Sequence, residues 1–150
     1  MTMTSADPPD LVVVDTNVLL AATDRSRASH QRALDFINDD QRRLALTPQI
    51  VREYLVVATR PVEANGLGMP GEGAASNMEQ FAADMDILPE NIATSRTVIG
   101  LVGQNVATGE QIHDANVVAV ALAHGARTIV TDNTRHFARF SDSITIEPLQ

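Results

Sequence analysis

The chain of 150 residues contains neither cysteine nor lysine, and each absence closes off a region of chemistry. Without cysteine there are no disulfides, thiolate metal sites or cysteine nucleophiles, and a reducing cytoplasm is permitted. All 11 basic residues are arginine. Lysine-dependent phosphate loops, Schiff-base chemistry and any mechanism with an obligatory lysine are therefore excluded. No apolar run approaches the roughly 20 residues needed to span a membrane. Residues 1–10 are polar, carry two prolines and lack the basic and apolar regions of a signal peptide. They are expected to form a disordered or extended N-terminus. Residues 11–150 then make one domain of a soluble, cytoplasmic protein with no membrane partner, long enough to bury roughly 70% of its unfolded surface.

The formal net charge of −8 argues against a general nucleic-acid coat protein, which should be basic. It leaves room for an enzyme that meets phosphate through a bound metal, and it suits the docking of a basic partner segment.

What is present is organised around residues 11–17. Leu11, Val12, Val13 and Val14 form a continuous apolar run that reads as a strand buried on both faces. It leads straight into Asp15. Thr16 and Asn17 can open a helix that continues through Val18, Leu19 and Leu20. Asp15 thus stands at the carboxyl end of a buried strand, where open α/β sheets bind ligands. Position alone is equally compatible with Asp15 merely capping the following helix.

Further strands are expected over 43–46, 86–89, 127–131 and 143–147. Helices are expected over 18–24, from Ser29 as cap, over 48–60, 74–85 and 94–106, and from a capping box at 108–111 up to Gly125. The glycine- and proline-rich stretch 61–76 reads as a long loop. Alternating strands and helices imply a three-layer α/β/α domain with a short, mainly parallel central sheet. His30 reads as a packed or exposed histidine rather than a ligand.

Four acids need explaining. Asp15 and Asp132 each end a strand. Asp114 has apolar residues at i+3, i+4, i+7 and i+8 (Val117, Val118, Ala121, Leu122), so it points down the centre of a buried helical stripe, which is costly unless the charge is paired or metal-bound. The bland alternative is a first-turn acid that satisfies helix N–H groups. Glu53 lies at the edge of the stripe of the 48–60 helix, with a solvated helix acid as its alternative. If the four converge, each pair about 4 Å apart repels by roughly 4 kcal/mol at an effective dielectric near 20. No lysine is available to neutralise them, and a hard divalent cation such as Mg²⁺ or Mn²⁺ fits better than arginine.

These residues together resemble the PIN-domain family. The resemblance rests on Asp15-Thr16-Asn17-Val18-Leu19-Leu20, Glu53 on a helix, Asp114-Ala115 at a helix start, and Val130-Thr131-Asp132-Asn133 with Phe137. It covers residues 11–149, and the compact form looks most like VapC toxins of bacterial toxin–antitoxin pairs. The resemblance implies a Mg²⁺- or Mn²⁺-dependent endoribonuclease acting on RNA, held inactive by a small basic VapB-like antitoxin and forming a homodimer. Asp15 and Asp114 would be direct metal ligands, with Glu53 and Asp132 completing the site. Thr16, Asn17, Thr131 and Asn133 would hold the carboxylates and the scissile phosphate. One position departs from the family pattern: members often carry the fourth acid two residues after the threonine, where this chain has Asn133, with Asp132 one residue early. Arg25, Arg27, Arg135 and Arg139 follow the two acid-bearing strand ends and either grip flanking phosphates or are solvated loop charges. Two rival readings are an aspartyl-phosphate phosphotransfer domain built on Asp15 and a catalytically silent scaffold. The missing lysine and the absence of a second acid at position 17 count against the first.

Overall fold

The computed structural model describes residues 10–150; the expectation for the N-terminus falls almost entirely outside them. Among the described residues five strands form one sheet in the order β3-β2-β1-β4-β5. They are β1 (Leu11–Val14), β2 (Arg43–Leu46), β3 (Asp86–Ile87), β4 (Thr128–Thr131) and β5 (Thr145–Pro148). Every pairing is parallel, with Val13 opposite both Ala45 and Ile129. The apolar β1 run lies at the sheet centre because Val12, Val13 and Val14 are covered on both faces, each with no exposed surface.

Among the described residues six α-helices cover the sheet: α1 (Thr16–Thr23), α2 (His30–Asp39), α3 (Pro48–Thr59), α4 (Gly71–Asp84), α5 (Ile92–Asn105) and α6 (Gln111–Ala123). The helix α1 packs on α2 and α3, α3 on α4, and α5 on α6. Right-handed crossovers put the helices of the β1–β2 and β2–β3 connections on one face and those leading to β4 on the other. The fold is thus a three-layer α/β/α domain. Among the described residues no helix is long and apolar enough to cross a membrane.

Local chemistry explains most boundaries. Thr47 caps α3 by accepting from the Ile50 N–H at 3.2 Å, with Pro48 at the first helical position. Asn91 and Thr94 form a reciprocal capping box that starts α5 two residues earlier than its apolar pattern suggests. Buried Tyr54 ties three helices together: its hydroxyl meets Thr23 at 2.8 Å and Asn77 at 3.3 Å, and its ring meets Phe81 edge-on.

Three expectations shift. The helix α4 begins at Gly71, so the loop ends at Pro70; burial of Ala74 and Met78 holds a first turn whose two glycines read as loop. Gly66 in that loop is obligatory, because a Cβ there would collide with the Arg60 carbonyl oxygen. The strand β3 is only two exposed residues long, at the sheet edge. Residues 108–111 supply half a capping box: Gln111 Oε1 accepts from the Thr108 N–H at 3.0 Å, while α6 has no side-chain cap.

Candidate active site

The strand order reverses direction at β1, which connects outward to β2 on one side and lies against β4 on the other. That is the topological switch point, and Asp15 leaves it at the carboxyl end of β1. The Asp15 N–H donates to the Val130 carbonyl at 2.9 Å, stitching the end of β1 to β4. Asp15 does cap the following helix, and it makes a second tie to β4. Its Oδ1 caps α1 by accepting from the Thr16 N–H at 2.8 Å, and its Oδ2 accepts from the Thr131 hydroxyl at 2.8 Å.

Thr131 is fully buried and is the hub of the floor. Its hydroxyl donates to Asp15 and accepts from Asn17 Nδ2 at 3.1 Å and from the Asn133 N–H at 3.0 Å. The Asn17 Oδ1 accepts from the Asp132 N–H at 3.0 Å. Asn17 and Thr131 therefore lock the ends of β1 and β4 together and aim the Asp15 carboxylate.

An open cleft of about 790 Å³ lies above this floor, and Asp15, Glu53 and Asp114 all line it. Glu53 comes in from α3. Its Oε2 accepts from the Thr16 hydroxyl at 3.0 Å and its Oε1 from Gln49 Nε2 at 2.8 Å. Asp114 comes from the first turn of α6, is half-buried, and among the described residues has no hydrogen-bond partner for its carboxylate. Burial pushes its pKa up to about 6, with the charges of Asp15 and Glu53 adding to the shift and His136 and His113 opposing it. Burial likewise raises Asp15, against the hydrogen bonds from Thr131 and Thr16.

Asp132 does not line the cleft. Its carboxylate is exposed and turns to the buried Ser29, whose hydroxyl donates to Oδ2 at 2.7 Å. Ser29 accordingly makes no capping bond to α2. The structure does not bring Asp132 to the cleft with the other three acids: its N–H is held by Asn17 and its carboxylate by Ser29. Asn133 is also off the cleft; its Oδ1 accepts from the Arg135 N–H at 3.2 Å.

The arginines divide in the same way. Arg135 and Arg139 line the cleft; Arg25 and Arg27 do not, and Arg27 pairs with Asp24 at 3.4 Å. Arg139 also points Nη1 at the last carbonyls of α5, Asn105 and Val106, where a cation suits the helix dipole. Sequence reasoning missed Arg52, Arg60, Gln49 and His136, all of which line the cleft. The helical period could have found three of them. Gln49, Arg52, Glu53, Val56, Val57 and Arg60 recur at spacings of three and four and form one face of α3 and its C-cap. His136 carried no such signal. Among the described residues none of these arginines forms an ion pair with Asp15, Glu53 or Asp114.

Residues 12–142 match the family model for the PIN domain. The chain belongs to the PIN domain family. No curated protein matches it in sequence. Solved structures with this PIN domain's fold include DNA-bound VapBC from Salmonella typhimurium, with a TM-score of 0.69 at 16% identity over 94% of this chain and 99% of that one. VapBC2 from Rickettsia felis, bound to a promoter DNA fragment, gives 0.67 at 18% identity over 93% and 99%. VapC20 from Mycobacterium tuberculosis, a sarcin–ricin loop cleaving toxin, gives 0.62 at 14% identity over 79% and 86%. At these identities the likeness is one of fold. In this PIN domain the cleft gathers three carboxylates, from the end of β1, α3 and α6, and among the described residues no arginine pairs with them.

Proposed function

We propose that this PIN domain is a Mg²⁺- or Mn²⁺-dependent endoribonuclease and the toxin of a type II toxin–antitoxin pair. One observation carries the reading. Three carboxylates from three different elements share a cleft, two of them have raised pKa values, and among the described residues no cation pairs with them. Such an arrangement is unfavourable unless a cation completes it.

The donor set fits a hard divalent ion. Among the described residues no three acidic or histidine side chains stand close enough to grip one ion directly. Mg²⁺ takes one or two carboxylates and keeps several waters, so this spacing suits it. Asp15 and Asp114 would hold the ion, and Glu53 would complete the site beside them. Bound there, the ion would activate water and stabilise charge on the phosphoryl oxygens. Asn17, Thr131 and Thr16 hold the carboxylates in place. Asp132 and Asn133 fix the loop after β4 from outside the cleft. Arg135, Arg139, Arg52 and Arg60 supply contacts to RNA phosphates on either side of the scissile bond.

The net charge of −8 supports a small basic antitoxin as inhibitor, laying an arginine or lysine toward the acids. A homodimer in the cytoplasm completes the proposal. Aspartyl-phosphate chemistry is disfavoured because Asp15 is buried and both of its oxygens already accept hydrogen bonds. The scaffold reading is favoured only by the lack of a closed three-ligand set.

The test is cleavage of RNA by nuclease-free protein. Activity is expected with Mg²⁺ or Mn²⁺ and none in EDTA. Cleavage that survives EDTA rejects the metal, and failure of the cleft to bind Mn²⁺ leaves the scaffold reading. Co-purification from the native host should recover a small basic protein rather than RNA alone.

A further inference from the structure

One polar side chain at the base of the cleft joins the two helices that carry Glu53 and Asp114. Gln49 lies in the first turn of α3 and is only 5% exposed. Its Nε2 donates to Glu53 Oε1 at 2.8 Å on its own helix and to the His113 carbonyl at 3.0 Å on α6. Its Oε1 accepts from Asn116 Nδ2 at 2.8 Å, and Asn116 also donates to Glu90 Oε1 at 3.0 Å. Both amide hydrogens are therefore used.

The orientation of this amide is forced. Flipped, its oxygen would face a carboxylate and a carbonyl, two acceptors, while its NH₂ faced another NH₂. The neighbours of these bonds give the amide its significance. Thr16, which holds the other oxygen of Glu53, is next to Asp15; His113 is next to Asp114. A single path of hydrogen bonds thus runs from the residue beside Asp15, through Glu53 and Gln49, to the residue beside Asp114.

We propose that Gln49 is a positioning residue: its amide holds Glu53 facing the cleft and fixes the start of α6, so that it sets the separation of Glu53 from Asp114. The consequence for catalysis rests on the nuclease reading above; the positioning itself does not. A purely structural tie between α3 and α6 would show only as lost stability.

The test uses Gln49→Met, which keeps the volume and removes all three hydrogen bonds. In its metal-free crystal structure, Glu53 is expected to leave Thr16 and change its separation from Asp114. Mn²⁺ affinity, read by electron paramagnetic resonance, and kcat on RNA should each fall about 10-fold or more, as when a group orienting a metal ligand is lost. KM for RNA should be unchanged. Gln49→Asn keeps an amide but is one methylene too short to span both partners, so it should lose Mn²⁺ affinity as well; it carries the test if the Met variant does not fold. An unmoved Glu53, or Mn²⁺ affinity equal to wild type in the folded variant together with a lower melting temperature, overturns the proposal. If wild type binds no Mn²⁺ and cuts no RNA, the nuclease reading fails, and the position of Glu53 in the metal-free variant still decides the role of Gln49.

Discussion

Two groups of carboxylates in this small domain are handled in opposite ways. Asp40 and Glu147 flank Arg42, which reaches them at 2.8 and 2.7 Å. Hydrogen bonds from Arg42 hold the Asp40 carboxyl below its usual range, and the two acids push the arginine up in turn. Asp15 and Asp114, by contrast, have raised pKa values and no arginine partner, although four arginines line their cleft. Acids that serve the fold are neutralised on the spot. Acids left charged in a half-dry cleft lower stability unless a cation supplies the missing partner, which is the role proposed here for a metal ion.

The contrast can be broken most severely at the floor. Asp15→Asn keeps the shape of the side chain while removing its charge, and RNA cleavage should fall about 10³-fold, the several kcal/mol that an ion-held transition state stands to lose. Arg42→Ala should do the reverse, with cleavage retained and stability lowered by about 1 kcal/mol. That corresponds to a melting temperature lower by about 2–4 °C for a domain of this size.

A finer cut separates the arginines. Arg135→Ala and Arg139→Ala should each raise KM and flatten the dependence of log affinity on log salt by about 0.7, the value for one single-strand phosphate contact. Arg25→Ala, which lies off the cleft, should change neither. Binding of a labelled oligonucleotide across a salt series reads both.

The smallest effect is in pH. A carboxyl raised from 3.8 to about 6 in the folded state, as Asp114 is, holds its proton more tightly when folded. Its contribution to stability is therefore full below pH 3.8 and is lost as pH rises through 6. Asp40, lowered, has the opposite sign: its contribution is present above pH 3.8 and is lost only as pH falls further. Between pH 4 and 6 the slope belongs to the cleft. After discounting for the partial exposure of Asp114, the metal-free protein should gain about 1 kcal/mol on acidification across that window. Urea denaturation in EDTA at pH 4.5 and 7 measures it.

Much of this was legible in the sequence where the signal is local. The Val12–Val14 run ending in Asp15, the Thr47-Pro48 helix start and the apolar ladder after Asp114 each need only a short window, and each stands where the pattern put it. What a short window cannot carry is the direction of a side chain at a loop. Asp132 and Asp15 look alike as strand-end acids, yet Ser29, 103 residues away in sequence, draws Asp132 outward. Gln49 is the intermediate case. Its spacing of four from Glu53 marks a shared helix face, but its bond to the His113 carbonyl exists only once α3 and α6 have packed. His136 reaches the cleft from a short 3₁₀ turn, where no helical period points the way.

The most direct measurement compares the thermal melts of wild type and Asp114→Asn at pH 7.5, each in EDTA and in Mg²⁺. If Asp114 carries an uncompensated charge awaiting a cation, the metal-free variant should melt higher than metal-free wild type, by about 2–4 °C for each kcal/mol relieved. Mg²⁺ should then raise wild type by mass action and the variant much less. If Asp114 only complements the positive end of the α6 dipole, the variant should be less stable by about 0.3–1 kcal/mol and melt lower, and Mg²⁺ should act on both proteins alike. That second outcome would contradict the metal-centred reading of the cleft.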